Sequence, residues 1–151
     1  TAAICLYLAD RFPEKKLAPP LGTPGRAIFY QWMAWCTNTP QAMLMHYFYP
    51  ERMVDDGDAA AAAQVKRRAE ARVGNMLEVL DQQLSSHGGH WVLGANFSAV
   101  DPYALMLCRW TRNFARPARS RPHIAPYLQR MLARPAVQRV FAQERLSAPF
   151  V

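Results

Sequence analysis

Ser98-Ala99-Val100-Asp101-Pro102-Tyr103-Ala104-Leu105-Met106-Leu107-Cys108-Arg109-Trp110 is the stretch that decides the fold. A serine three residues before a carboxylate makes a reciprocal cap. The Ser98 hydroxyl serves the Asp101 amide, and the Asp101 carboxylate reaches back to the Ser98 amide. The helix this box opens, over 98–113, is apolar nearly all round. Such a helix belongs in the middle of a bundle, where neighbours cover every face.

Outward from it, Gly88-Gly89 stops a long helix from Ala59 to Ser86, with apolar positions at Val65, Ala69, Val73, Met76, Leu77, Leu80 and Leu84. The Asp-Asp-Gly-Asp turn at 55–58 places negative charge at that helix's N-terminus. Thr23-Pro24 caps and opens an earlier helix, with Ile28, Trp32, Trp35 and Cys36 on one face. Pro40 interrupts it and predicts a kink one turn back, at Cys36, with Thr37, Asn38, Thr39 and Gln41 as polar groups around it. Ile4, Tyr7, Leu8 and Phe12 mark the face of a first helix that Pro13 ends, and Pro122 and Pro135 open two short closing helices. No alternating strand pattern and no repeat occurs, so the expected fold class is an all-α helical bundle.

A length of 151 residues, 51% of them apolar and 19% charged, is that of one ordinary globular domain. No apolar run approaches the roughly 18 residues of a membrane-crossing helix, and no membrane partner is expected. Cys5, Cys36 and Cys108 each lie in an apolar helical segment and read as small core residues, which suits a reducing cytoplasm. The net charge of +7 is local: nine arginines and one acid, Glu144, lie between Arg109 and Arg145. With no recognition helix and no aromatic interleaving, that segment reads as a solvated or anion-steering surface, and no nucleic-acid partner is expected. His87-Gly88-Gly89-His90 lacks a third ligand and reads as a loop, so no metal is expected. His46 reads as a partly exposed histidine near a helix end. Tyr103 and Trp110 are two turns apart on one face of the central helix, either in the core or lining an apolar pocket.

The order of motifs carries a family resemblance. Thr1-x-Ala3-Ile4-x-x-Tyr7-Leu8-Ala9-Asp10 and Leu17-Ala18-Pro19 resemble the last helix of the glutathione S-transferase N-terminal domain and the linker after it. Phe97-Ser98-x-x-Asp101-x-Tyr103 is similar to that family's capping box. Arg109-Trp110, His123-Ile124, Gln129-Arg130-Met131, Arg134-Pro135-x-Val137-Gln138 and Glu144-x-Leu146 resemble the bacterial beta-class pattern.

The resemblance implies that residues 1–13 are the last helix of a thioredoxin-like domain whose remainder is absent. It makes 14–23 the interdomain linker and 24–151 the C-terminal helical domain. It implies a detoxifying, cytoplasmic, dimeric transferase that joins the glutathione thiolate to a small apolar electrophile. The residue that activates the thiol would lie outside the chain, so the catalytic residue is unknown and the chain alone is expected to be inactive. Thr1 would hold the γ-glutamyl end of glutathione at a helix N-terminus. Asn38, Gln41, Tyr103 and Trp110 would line the substrate pocket, while Ser98 and Asp101 keep a structural role. The beta-class histidine position falls at Gln41, unless an insertion brings His46 there. The other reading is a non-catalytic helical protein-interaction module, with side chains filling the same cleft.

Overall fold

The computed structural model describes residues 1–151 and is all-helical apart from turns, loops and one isolated bridge between Trp91 and Gly94. In chain order the helices are α1 (Ala2–Arg11), α2 (Pro24–Cys36), α3 (Ala42–Phe48), α4 (Ala59–Ser86), α5 (Val100–Trp110), α6 (Ile124–Leu132) and α7 (Pro135–Gln143). Helix α5 is the centre, with seven of its eleven residues buried. Around it pack Phe29, Trp32, Met33 and Cys36 of α2, Val73, Leu77, Leu80 and Leu84 of α4, and Ile124, Tyr127, Leu128 and Met131 of α6. Each large side chain so buried contributes about 1.5–3 kcal/mol of transfer free energy.

The start of α5 differs from a reciprocal capping box in one half. Ser98 N–H donates to Asp101 Oδ2 at 2.8 Å, but the Ser98 hydroxyl accepts from Val100 N–H (3.3 Å) instead of Asp101 N–H. Asp101 N–H goes to the Ser98 carbonyl at 3.1 Å. The other carboxylate oxygen, Oδ1, takes Val92 N–H at 3.0 Å, so the buried Asp101 ties the preceding loop to the helix. At the far end the helix stops at Trp110 rather than 113. The Thr111 hydroxyl bonds back to the Cys108 carbonyl (2.7 Å) and accepts from Ala118 N–H (3.0 Å), anchoring a turn there.

Two apolar faces are turned differently from their periodicity. On α1, Ile4 and Tyr7 are 64% and 65% exposed, and Leu8 and Phe12 are exposed too. Ala2, Cys5, Leu6 and Ala9 face the bundle instead, and the small side chains of Ala2, Cys5 and Ala9 let α1 approach closely. On α2, Ile28 is exposed, and Phe29 and Met33 share the inner face with Trp32 and Cys36. Pro40 produces a π-helical turn, Thr37–Gln41, in place of a sharp break, with Cys36 and Ala42 helical on either side. The widened turn accommodates the proline ring, which is buried there.

Four of the nine arginines of the basic segment also serve the fold, and of the nine only Arg121 is buried. Arg121 is 3% exposed, pairs with Glu78 and donates to the Gly74 carbonyl at 3.1 Å. Arg109 donates to the Phe150 carbonyl (2.5 Å), Arg119 to those of Arg112 (3.1 Å) and Val151 (2.5 Å), and Arg130 to that of His90 (3.1 Å). Loop and tail carbonyls lack helical partners, and the arginines supply them.

Two further buried polar groups hold elements together without any local motif. Asp81 of α4 accepts from His123 N–H (2.9 Å), His123 Nδ1 (2.9 Å) and Ile124 N–H (2.8 Å), and so caps α6 from another helix. Arg26 of α2 pairs with Asp10, donates to the Pro19 carbonyl (2.9 Å) and lies over Tyr30, docking α1 and the linker onto α2. No helix is long and apolar enough to cross a membrane.

Candidate functional site

Helix α5 lies against the run formed by α2, the π-turn and α3, and two cross-contacts tie them at the same pitch. The lower one is polar. The Tyr103 hydroxyl meets Gln41 Oε1 and lies 2.9 Å from Thr37 Oγ1, which is also within 3.1 Å of the Met33 carbonyl. The upper one is aromatic: Trp110 meets Phe48 edge-on, ring centroids 5.9 Å apart and planes at 90°. Gln41 to Phe48 and Tyr103 to Trp110 are both seven residues, two helical turns, so each pair is repeated along its helix. Between them Leu44 and Leu107 are buried, and Met45 and Met106 are half-buried.

Tyr103 is only 2% exposed, and its phenol proton is committed to Gln41. Two hydroxyl protons, on Thr37 and Tyr103, serve three contacts, so none is left for an incoming ligand. Burial pushes the Tyr103 phenol up, against the lowering contact from Thr37, and the group stays a neutral donor at physiological pH. Tyr103→Phe should cost about 1 kcal/mol, the net value of an ordinary hydrogen bond, in a urea melt. The enclosed space beside this turn is about 10 Å³ and is lined by Trp35, Pro40, Leu44, Leu107 and Cys108. An apolar void of that size is a packing gap, too small for a substrate.

The remaining candidates are spread out. Trp110 is half-buried and Phe48 exposed, so the aromatic contact presents ring surface. Phe48 was not singled out from the sequence; its two-turn offset from Gln41, matching that of Trp110 from Tyr103, is the signal that finds it. Asn38 is exposed on the π-turn. Thr1 sits at the N-terminus of α1 with no capping bond from its side chain, and it hydrogen-bonds none of the other four. His46 is half-buried on α3, and it is Gln41 that the π-turn sets against Tyr103. Burial raises the Cys36 thiol to about 12 and the Cys108 thiol further, so neither is a nucleophile. His87 receives Gly89 N–H on Nδ1 (3.1 Å) and places Nε2 3.3 Å from the Val92 carbonyl, as the Nε2-protonated tautomer requires. It braces its loop. Gly89 is required there, because a Cβ would fall 2.4 Å from the Gly94 backbone.

Residues 33–135, which carry both helices of this seam, match the family described as glutathione S-transferase, C-terminal domain. The chain belongs to that family. Among its relatives, glutathione S-transferase GstA of Escherichia coli O157:H7 is 26% identical over 144 residues, 95% of this chain and 66% of GstA. The bacterial beta-class glutathione S-transferase of Sphingomonas chungbukensis is 26% identical, with a TM-score of 0.80 over 97% of this chain and 67% of that one. A sphingomonad glutathione S-transferase in complex with glutathione is 25% identical, with a TM-score of 0.79 over the same shares. The chain thus spans just under two thirds of GstA. Within this glutathione S-transferase domain, α5 is covered chiefly by α2, α4 and α6, and α3 meets it at the seam.

Proposed function

We propose that this chain is the helical, acceptor-binding part of a beta-class-like glutathione transferase. The observation that carries this is the seam of α3 and α5, with a polar contact at Gln41 and Tyr103 and ring surface at Phe48 and Trp110. In the reaction, the glutathione sulfur forms a bond to an electrophilic carbon while a leaving group departs with its electron pair, or a double bond takes up that pair. The rings and the thioethers of Met45 and Met106 offer the acceptor an apolar bed and exclude water from the carbon under attack. Thr1, at the N-terminus of α1, suits the γ-glutamyl carboxylate, since free amides and the helix dipole favour an anion. The thiol-activating group lies outside this chain, which alone catalyses no conjugation. The working form is a cytoplasmic homodimer.

The test joins this chain to the N-terminal part of GstA that it does not span, and assays conjugation of glutathione to a small aromatic electrophile. Turnover by the joined protein and none by the chain alone is the expected result. The buried, hydrogen-bonded Tyr103 favours a second reading at that one point, a seam filled by its own side chains in a non-catalytic interaction module. A joined protein that is retained on immobilised glutathione yet turns over no acceptor would establish that reading instead.

A further inference from the structure

A second concave surface lies at the other end of α1, where a groove of about 1150 Å³ runs between the α1 terminus, the linker, the loop before α5 and the corner between α6 and α7. Its cations are Lys15, Lys16, Arg26 and Arg134, and its single acid is Asp10. Asp10 is occupied by the buried Arg26, so it does not neutralise the others. Glu14 lies on the exposed turn beside Lys15, outside the groove lining.

Arg134 is the informative member. Its guanidinium is held 3.7 Å from the centroid of Phe97 and 5.3 Å from that of Trp91, half-buried, and no protein oxygen accepts from it. Its neighbour Arg130, by contrast, gives two N–H groups to the His90 carbonyl. A guanidinium stacked on a ring has lost water from its faces and keeps its N–H edge free for a bidentate oxygen acceptor. The Nε of Arg26, fully buried in the groove wall, also has no partner. Ala99 N–H donates to the Leu17 carbonyl at 2.8 Å, which pins Lys16 on one wall beside Phe97 on the other. Three cations without a counter-charge thus share one recess, where a concave wall concentrates their field.

We propose that this groove binds a phosphate dianion, free or as the ester of a small molecule, with Lys15, Lys16 and the edge of Arg134 as its donors. Phe97 and Leu93 supply the floor on which an ester's body rests.

The test is a titration of the 151-residue chain at constant ionic strength, followed by ¹H–¹⁵N spectra that include the arginine Nε signals. Inorganic phosphate and phenyl phosphate are the two probes. Saturable shifts confined to Lys15, Lys16, Phe97 and Arg134 are expected. Binding should weaken by about a hundredfold in the Lys15→Gln, Lys16→Gln double variant, since each lost charged contact is worth roughly a factor of ten. Those two side chains are exposed, so the variant keeps its fold and the comparison is clean. Arg134→Lys should fall between parent and double variant, because it keeps the charge and loses the fork. Equal affinity for the two probes assigns the site to free phosphate, and tighter binding of phenyl phosphate assigns it to an ester. Non-saturating shifts, shifts of equal size at the arginines of α5 to α7, tighter binding of a short DNA duplex than of either probe, or unchanged affinity in the double variant would each overturn the proposal.

Discussion

Asp101→Ala should lower the unfolding free energy by about 3 kcal/mol at neutral pH, several times the effect of an ordinary surface substitution. The carboxylate is 0% exposed and accepts from Val92 N–H and Ser98 N–H, with the Ser98 hydroxyl at 3.4 Å. Truncation strands two buried amides, at about 1–3 kcal/mol each. A helix cap alone would cost about 1 kcal/mol, so the excess measures the Val92 bond, which no capping rule contains. Urea melts of parent and variant check the figure. The effect also depends on pH. Burial pushes the Asp101 carboxyl above its ordinary 3.8, against the amides that pull it down. The folded state then holds that proton more tightly than the unfolded one, so this group's contribution falls as pH rises through the window between 3.8 and the raised folded-state value. The gap between parent and variant should be widest below that window and narrower above it. A gap that widens with pH would contradict the assignment.

Asp81→Ala should cost about 2–3 kcal/mol by a different route, the loss of the carboxylate that accepts from the His123 and Ile124 N–H groups at the start of α6. Helix α6 carries Ile124, Tyr127, Leu128 and Met131, all fully buried, and Tyr127 donates to the Asp101 carbonyl at 3.1 Å. An uncapped first turn therefore loosens a layer of core. Amide exchange should rise at His123, Ile124 and the first turn of α6 before it rises in α4. Asp81→Asn, which retains one acceptor oxygen, should recover part of the loss. Equal exchange throughout the chain in Asp81→Ala would mean that the carboxylate is not what holds α6.

How legible these features were follows from how local they are. Helix α4 runs over Ala59–Ser86 as its periodicity and flanking turns require, and Asp58 caps it through Ala61 N–H at 2.9 Å. Thr23 caps α2 through Arg26 N–H in the same way. These signals lie within four residues of each other, and the sequence displays them directly. Asp81 and Arg26 could not be read, because their partners are 42 and 16 residues away and a charged residue on a helix looks solvated by default. Arg121 could not be read for the same reason, since its partners Gly74 and Glu78 lie on α4. The face of α1 was misjudged because periodicity reports an apolar stripe without saying which side meets this domain. For the seam, the two-turn spacing put Tyr103 and Trp110 on one face of α5 and Pro40 put Gln41 at the kink, whereas Phe48 needed the pitch of α3 against α5.

The central claim is that the seam of α3 and α5 takes the electrophile. It is tested most directly by steady-state kinetics of the chain joined to the N-terminal part of GstA, with Trp110→Ala as the variant. Trp110 contributes ring surface at the edge of the seam, and its truncation should raise the KM for an aromatic electrophile by about tenfold, the equivalent of roughly 1.4 kcal/mol of lost contact. The KM for glutathione should stay unchanged. A change confined to the glutathione KM, or no change in either constant with turnover intact, would show that the acceptor binds elsewhere.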